Sequence, residues 1–339
     1  MMLLGGASCA LAVHEAGHLV AGRIMGFRFG FFAIGPVWLA REGASIRLRW
    51  NRLPAAWGGM ALAYPTDTRA LAARMAFYAA GGPLASLALS VVAFWVGNSI
   101  PALTSLSRWA MVLALMSACV LVATVQPFGT GIGVRSDGGK VLLFAANRVK
   151  AKEEAAVVAL MGLAAAGVRP REWSAELVRT AGAIRSPAAL ALGAMTLVLR
   201  HRLDQGNRLQ AEAAVDALLG MYDASPALVR GDAAAEVAFY LAFFRRDVVE
   251  AKKFLKDAEP ALTEQHRIFR ADAAVRLRSS DAAGATRALR KAQAALEHAL
   301  VEVTDLDRDL VAAVGNELVD AKGSAQLKGS LVIQDEVAR

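Results

Sequence analysis

Twenty-three consecutive residues, Met75 to Gly97, carry no charge, and a further twenty, Trp109 to Phe128, carry none either. A helix rises about 1.5 Å per residue, so roughly 20 residues cross the hydrocarbon core of a bilayer and both stretches are predicted to span it. A third apolar stretch, about Leu3 to Met25, has the length but contains His14, Glu15, His18 and Arg23. Three spans are therefore predicted, over about residues 3–25, 75–97 and 109–128. The first lacks a positive n-region, and Gly6-Ala7-Ser8-Cys9 lacks the Leu of a lipoprotein cleavage box, so it reads as retained rather than as a signal.

The net charge of +8 invites a nucleic-acid reading. Its placement argues otherwise. Residues 1–150 hold 13 Lys/Arg against 4 Asp/Glu, while residues 151–339 hold 25 against 26. The basic excess flanks the apolar segments, as the positive-inside rule requires, and does not form a phosphate-binding face. Nucleic acid is not an expected partner. Cys9 and Cys119 lie far apart in apolar runs with no CxxC neighbour, which implies neither a disulfide framework nor a thiolate metal site.

Between the first two spans the texture changes. Phe27 to Leu39 is aromatic and β-branched, Arg41 to Ser45 reads as a turn, and Ile46-Arg47-Leu48-Arg49-Trp50 alternates apolar with basic. That is a hairpin over about 27–50, expected at the membrane surface. Arg23 to Arg74 holds eight Arg against Glu42 and Asp67, Asn98 to Ser107 has no charge, and Arg135, Lys140, Arg148 and Lys150 follow the third span. Positive-inside places the hairpin and everything after Phe128 in the cytoplasm of a multi-pass cell (inner) membrane protein.

From about Lys150 the chain is Ala-rich, charged and helical in pattern. Asp247, Ala251 and Leu255 recur 34 residues later as Asp281, Ala285 and Leu289. This is the period of tetratricopeptide-type helix pairs, and an earlier copy around Asn207, Ala211 and Val215 fits with a longer spacer. The alternative is ordinary helical hairpins that share a spacing. The fold class is thus mainly α: a polytopic helical membrane core with a small membrane-surface β hairpin over 1–148, a soluble tetratricopeptide-like domain over 149–322, and a frayed tail over 323–339.

His14-Glu15-Ala16-Gly17-His18 is an HExxH motif. Positions i and i+4 share a helix face, so both imidazoles can reach one Zn²⁺ while the Glu meets a water beside it. Zinc lowers the pKa of a water it binds towards about 7, and the Glu then takes its proton and passes it to a leaving amide. The pattern also arises by chance on soluble helices, but ionisable residues midway along a membrane span persist mainly when they pair, bind ions or do chemistry. A Glu15–His hydrogen bond within a helix bundle is the competing reading. A third protein ligand is needed. His201, His266 and His298 lie in the polar half, where solvated surface positions are expected, which leaves Glu42, Asp67 and Asp137. Asp137 opens a helix-like segment and reads equally as an N-cap.

The combination of His14 to His18, then Gly81-Gly82-Pro83 inside the second span, then Ser136-Asp137-Gly138-Gly139 after the third, resembles the site-2 protease family of intramembrane zinc metalloproteases. The resemblance covers about residues 1–145 and includes the hairpin and Gly58-Gly59. It implies His14, His18 and Asp137 as zinc ligands and Glu15 as general base. Where the family often has Asn after Gly-Pro, this chain has Ser86; where it often has Asn before Pro, Thr124-Val125-Gln126-Pro127 stands. Gly82, Pro83, Ser86 and Gln126 are the candidates for positioning substrate or its oxyanion. No insertion between spans two and three is large enough for a PDZ domain.

The resemblance implies a zinc metalloendopeptidase that cuts membrane-spanning segments of substrate proteins, with the helical half recruiting a protein partner. The substrate would be unwound and added as a strand beside the hairpin. The alternative is a membrane-anchored adaptor whose zinc site is inert or structural, and a lesser one is a metal-binding or transport protein.

Overall fold

The computed structural model describes residues 2–42, 45–51, 57–65, 67–101, 104–129, 135–146, 148–185, 187–258, 263–297, 299 and 303–337. It is mainly helical with one small antiparallel sheet. The chain divides into two compact units, Met1–Val168 with Glu172–Ala194, and Arg169–Arg171 with Met195–Arg339.

In the first unit, α1 (Met2–Ile24) leads into a sheet, followed by α2 (Leu71–Ser99) and α3 (Ser105–Val125). Only α2 and α3, among the described residues, are long and apolar enough by hydropathy to cross a membrane. At 23 residues α1 has the length, but its polar triad dilutes its hydropathy. The third predicted span ends three residues early, at Val125. Gln126 is already extended (ψ 130°), because the ring of Pro127 disfavours helical geometry in the residue before it.

The expected hairpin is a larger structure. Four strands, β1 (Arg28–Ile34), β2 (Val37–Glu42), β3 (Ser45–Trp50) and β4 (Met60–Tyr64), form an antiparallel sheet in the order β3-β2-β1-β4. The run from Phe27 to Leu39, read as one strand, is folded back at Gly35-Pro36, so that Ile34 faces Val37. Gly35 supplies the left-handed φ of +50°, and Pro36 has no N–H for a ladder. Asn51, fully buried, donates from Nδ2 to the Gly35 carbonyl at 2.8 Å and fixes that turn. The turn residues Gly43 and Ala44 lie outside the described residues. On the far edge β3 exposes Ile46, Leu48 and Trp50 in alternation with Arg47 and Arg49.

Helices α1 and α2 cross at backbone contact: a Cβ on Gly81 would overlap the Gly17 carbonyl oxygen. After α3 come α4 (Asp137–Ala146), α5 (Arg148–Ala165), α6 (Ala175–Gly182) and α7 (Ala188–Asp204), the last shared between the units.

The second unit continues with α8 (Arg208–Tyr222), α9 (Gly231–Tyr240), α10 (Val248–Asp257), α11 (Gln265–Arg278), α12 (Ala282–Glu297) and α13 (Asp305–Val337). One joint recurs three times. Gly206, Arg246 and Ser280 take left-handed φ of +69°, +60° and +61°. The next residues, Asn207, Asp247 and Asp281, each accept a backbone N–H three residues on, at 3.1, 3.0 and 2.8 Å, and cap α8, α10 and α12. Four residues after each cap, Ala211, Ala251 and Ala285 are fully buried. The 34-residue spacing is thus the spacing of a helix-to-helix turn and a close contact. The backbone of α13 runs through most of the stretch expected as a tail.

His201 and His266 are not solvated; both are 2% exposed. His201 Nδ1 stands 2.6 Å from the Pro170 carbonyl, and His266 Nε2 stands 3.4 Å from Asp307. Polar composition concealed them because this unit buries charge: Arg200, Glu236, Arg270 and Asp307 are each at most 1% exposed. His298 lies outside the described residues.

Candidate metal centre

The i, i+4 spacing puts His14 and His18 on one face of α1, and both are buried, at 3% and 7% exposure. Asp137 reaches them from α4, with Oδ2 3.1 Å from His14 Nε2 and 3.3 Å from His18 Nε2. One ligand atom from each lies within 4.8 Å of the other two.

Asp137 is free to do this because it is not the cap. Ser136 Oγ accepts the Gly139 N–H at 3.1 Å and closes the first turn of α4. Ser136 Oγ also donates to the Gln126 carbonyl at 2.5 Å, tying α4 to the end of α3. Gly138 packs so tightly on the Val125 carbonyl that no Cβ fits.

The His18 tautomer follows from its outer partners. His18 Nδ1 is 2.9 Å from the Tyr78 carbonyl, which only accepts, and 3.3 Å from the Gly82 N–H; the shorter contact puts the hydrogen on Nδ1 and leaves Nε2 a lone pair. His14 Nδ1 is 2.9 Å from the hydroxyl of Ser86, which donates or accepts and so suits either tautomer. The His18 lone pair and a carboxylate oxygen aimed at one point repel each other unless a cation lies between them. A nitrogen–nitrogen–oxygen donor set of this kind, held by outer partners, suits Zn²⁺. Gly82 makes the room: its Cβ would lie 2.6 Å from His18 Cε1 and 2.7 Å from His14 Cε1.

Tyr78, Gly82 and Ser86 fall four residues apart and present one face of α2 to the site. The sequence held that signal, since i, i+4, i+8 spacing marks a stripe, but only Gly82 and Ser86 were singled out. Ser86 is fully buried behind His14, hydrogen-bonded to His14 Nδ1, and is absent from the cavity wall. Pro83 is buried within α2, where it has no N–H for the Ala79 carbonyl. Gln126 is exposed, contributes its backbone carbonyl to Ser136, and is absent from the cavity wall. Asp67 stands apart from the cluster, paired with Arg74 at 2.7 Å. The side chain of Glu42 lies outside the described residues.

Glu15 opens with the cluster onto a cavity of about 540 Å³, also lined by Gly58, Gly59, Met60 and Ala61 of the β4 end, Thr124, Arg135 and Lys140. A Cβ on Gly59 would lie 3.3 Å from Glu15 Oε1, so the strand's approach passes directly over this carboxylate. Tyr78 fastens that strand: its hydroxyl donates to the Ala61 carbonyl at 3.2 Å and accepts the Ala63 N–H at 3.3 Å.

A polar trio able to hold a metal ion thus stands among long apolar helices, with a carboxylate beside it and a cavity in front. The family model described as peptidase family M50 matches residues 3–310. The chain belongs to that family, the site-2 protease family of membrane zinc metalloproteases. The match extends well beyond the first 145 residues on which the motifs rested. No curated protein and no solved structure matches the chain.

Proposed function

We propose that this protein is an intramembrane zinc metalloendopeptidase that cleaves membrane-spanning segments of substrate proteins, with His14, His18 and Asp137 as ligands and Glu15 as general base. The observation that carries the reading is the convergence of the two Nε2 atoms and Asp137 Oδ2. Zinc held there supplies an acidified water and polarises a carbonyl. Glu15 takes the water's proton as oxygen attacks the scissile carbonyl carbon, and returns it to the amide nitrogen as the C–N bond breaks. Ser86 and the Tyr78 carbonyl orient the two imidazoles, and the carbonyl keeps the His18 hydrogen on Nδ1.

Substrate in an unwound form would lie along the Gly58–Ala61 rim, which replaces the far hairpin edge as the docking strand because this rim lines the cavity. Charge asymmetry supports a multi-pass cell-membrane protein with its helical half in the cytoplasm. The repeated cap-and-alanine joints support a tetratricopeptide-like array that would bind a protein partner.

The adaptor reading, with an inert zinc site, leaves Glu15 in the cavity without a use. Co-expression with single-span substrates decides between them. Glu15→Gln should abolish cleavage while zinc remains bound; cleavage that persists in this variant would remove Glu15 from the mechanism. Asp137→Asn should lose zinc, and full zinc occupancy after that change would break the ligand set.

A further inference from the structure

Resting on that reading, we infer that Lys140 is a catalytic residue: its ammonium receives the negative charge that develops on the substrate's carbonyl oxygen. Attack by water moves the carbonyl π electrons onto oxygen, and they return when the C–N bond breaks. A pre-placed donor on the cavity wall stabilises that transient charge.

The side-chain donors on the cavity wall can be taken in turn. Thr124 Oγ donates to the Val120 carbonyl at 2.9 Å, one turn back in its own helix. The Tyr78 hydroxyl is spent on Ala61, and Ser136 on Gln126. Arg135 is paired with Glu154, Nε to Oε2 at 3.4 Å. Ser86 is behind His14, and Gln126 is outside the wall. Of the two cations on the wall, Lys140 is the one that stands against a ligand of the cluster. It forms an ion pair with Asp137 Oδ1 at 3.5 Å, and its side chain, 40% exposed, lines the cavity.

Placement makes the role geometric. Lys140 lies three residues after Asp137 on the same face of α4. Asp137 thus gives Oδ2 to the imidazoles and Oδ1 to Lys140, so the ammonium stands one carboxylate's width from the ligand cluster. The helix end is fixed by Ser136 and Gly138, while the four-carbon stem leaves the ammonium free to turn to the substrate oxygen.

The test uses the full-length protein in detergent, with Lys140→Met, Lys140→Arg and Arg135→Met. The readouts are zinc content, kcat and KM on a single-span substrate, and affinity for a peptide phosphinate, whose tetrahedral anion mimics the charged intermediate. Lys140→Met should lower kcat by about 100-fold or more, with KM changed less than about twofold. Zinc should stay stoichiometric, phosphinate affinity should fall by a similar factor, and Lys140→Arg should recover part of both. Zinc lost from Lys140→Met would make Lys140 a partner of Asp137 and overturn the inference. So would unchanged phosphinate affinity, or a larger effect from Arg135→Met. Wild-type protein that binds neither zinc nor phosphinate would instead bring down the metalloendopeptidase reading beneath it.

Discussion

The first unit buries two histidines and an aspartate, and the second buries two arginines, a glutamate and an aspartate; the two clusters differ in what they leave unpaired. In the second, charge meets opposite charge, with Arg200 Nε, Arg270 Nε and Arg270 Nη1 left without hydrogen-bond partners among the described residues. Arg200 reaches both oxygens of Asp307, at 2.9 and 2.7 Å, and also Glu236 at 2.7 Å, while Arg270 reaches the other Glu236 oxygen at 2.6 Å. Thr304 completes Asp307 with a hydrogen bond of 2.6 Å. In the first, His18, its hydrogen held on Nδ1 by the Tyr78 carbonyl, aims an acceptor at the Asp137 carboxylate. Burial alone therefore does not mark a functional site. Complementary burial is a fastening that joins α7, α9, α11 and α13, and non-complementary burial calls for a cation.

That contrast can be broken in order of effect. Gly82→Ala should do most damage for the smallest change: a methyl placed against both imidazoles should empty the site of zinc and end cleavage. Atomic absorption on the purified variant, with circular dichroism to confirm an intact helical fold, checks this; retained zinc would show that the cradle is not needed. Next is Asp307→Asn, which leaves Arg200 without its bidentate partner. Breaking a buried pair costs about 3–5 kcal/mol, so the second unit should become far more sensitive to proteolysis while zinc content holds.

Ser86→Ala should be milder, because it removes an outer partner and not a ligand. A loss of about 10- to 100-fold in zinc affinity is expected, measured by competition with a chelator, with Ser86→Thr recovering part of it. Acid should act least abruptly. Burial opposes the charges of Glu236 and Asp307, but Arg200 and Arg270 outweigh it, so both folded carboxyls lie below their ordinary values of 4.5 and 3.8. The stability they contribute is complete above about pH 4.5 and drains away as pH falls from there towards the folded values. Hydrogen exchange of α9 and α13 amides, corrected for intrinsic rate, should accelerate between about pH 5 and pH 3. Unchanged protection over that range would mean the network is not the fastening described.

Much of the first unit was legible because membranes impose simple rules. Uncharged length marks α2 and α3, the HExxH spacing marks His14 and His18, and the resemblance to site-2 proteases adds Asp137. The sheet was half legible: Gly35-Pro36 is a strong turn signal inside a run that otherwise reads as one strand, and β4 has no marking beyond five small and apolar residues. The joints of the second unit appeared as a spacing, but the left-handed residues before each cap did not, since Arg246 and Ser280 carry no glycine to announce them. Its buried histidines and arginines were illegible. A charged residue looks solvated in sequence until the fold provides its partner.

The sequence by itself determined a membrane-embedded HExxH chain with a returning carboxylate, because helix periodicity and hydropathy are local properties of neighbouring residues. The tertiary structure decided the rest. Ser136 took the cap and freed Asp137; Ser86 went behind a histidine; Lys140 came to the cavity wall beside the Asp137 carboxylate. Each of these depends on which atoms meet across helices far apart in the chain, and no local pattern encodes those meetings.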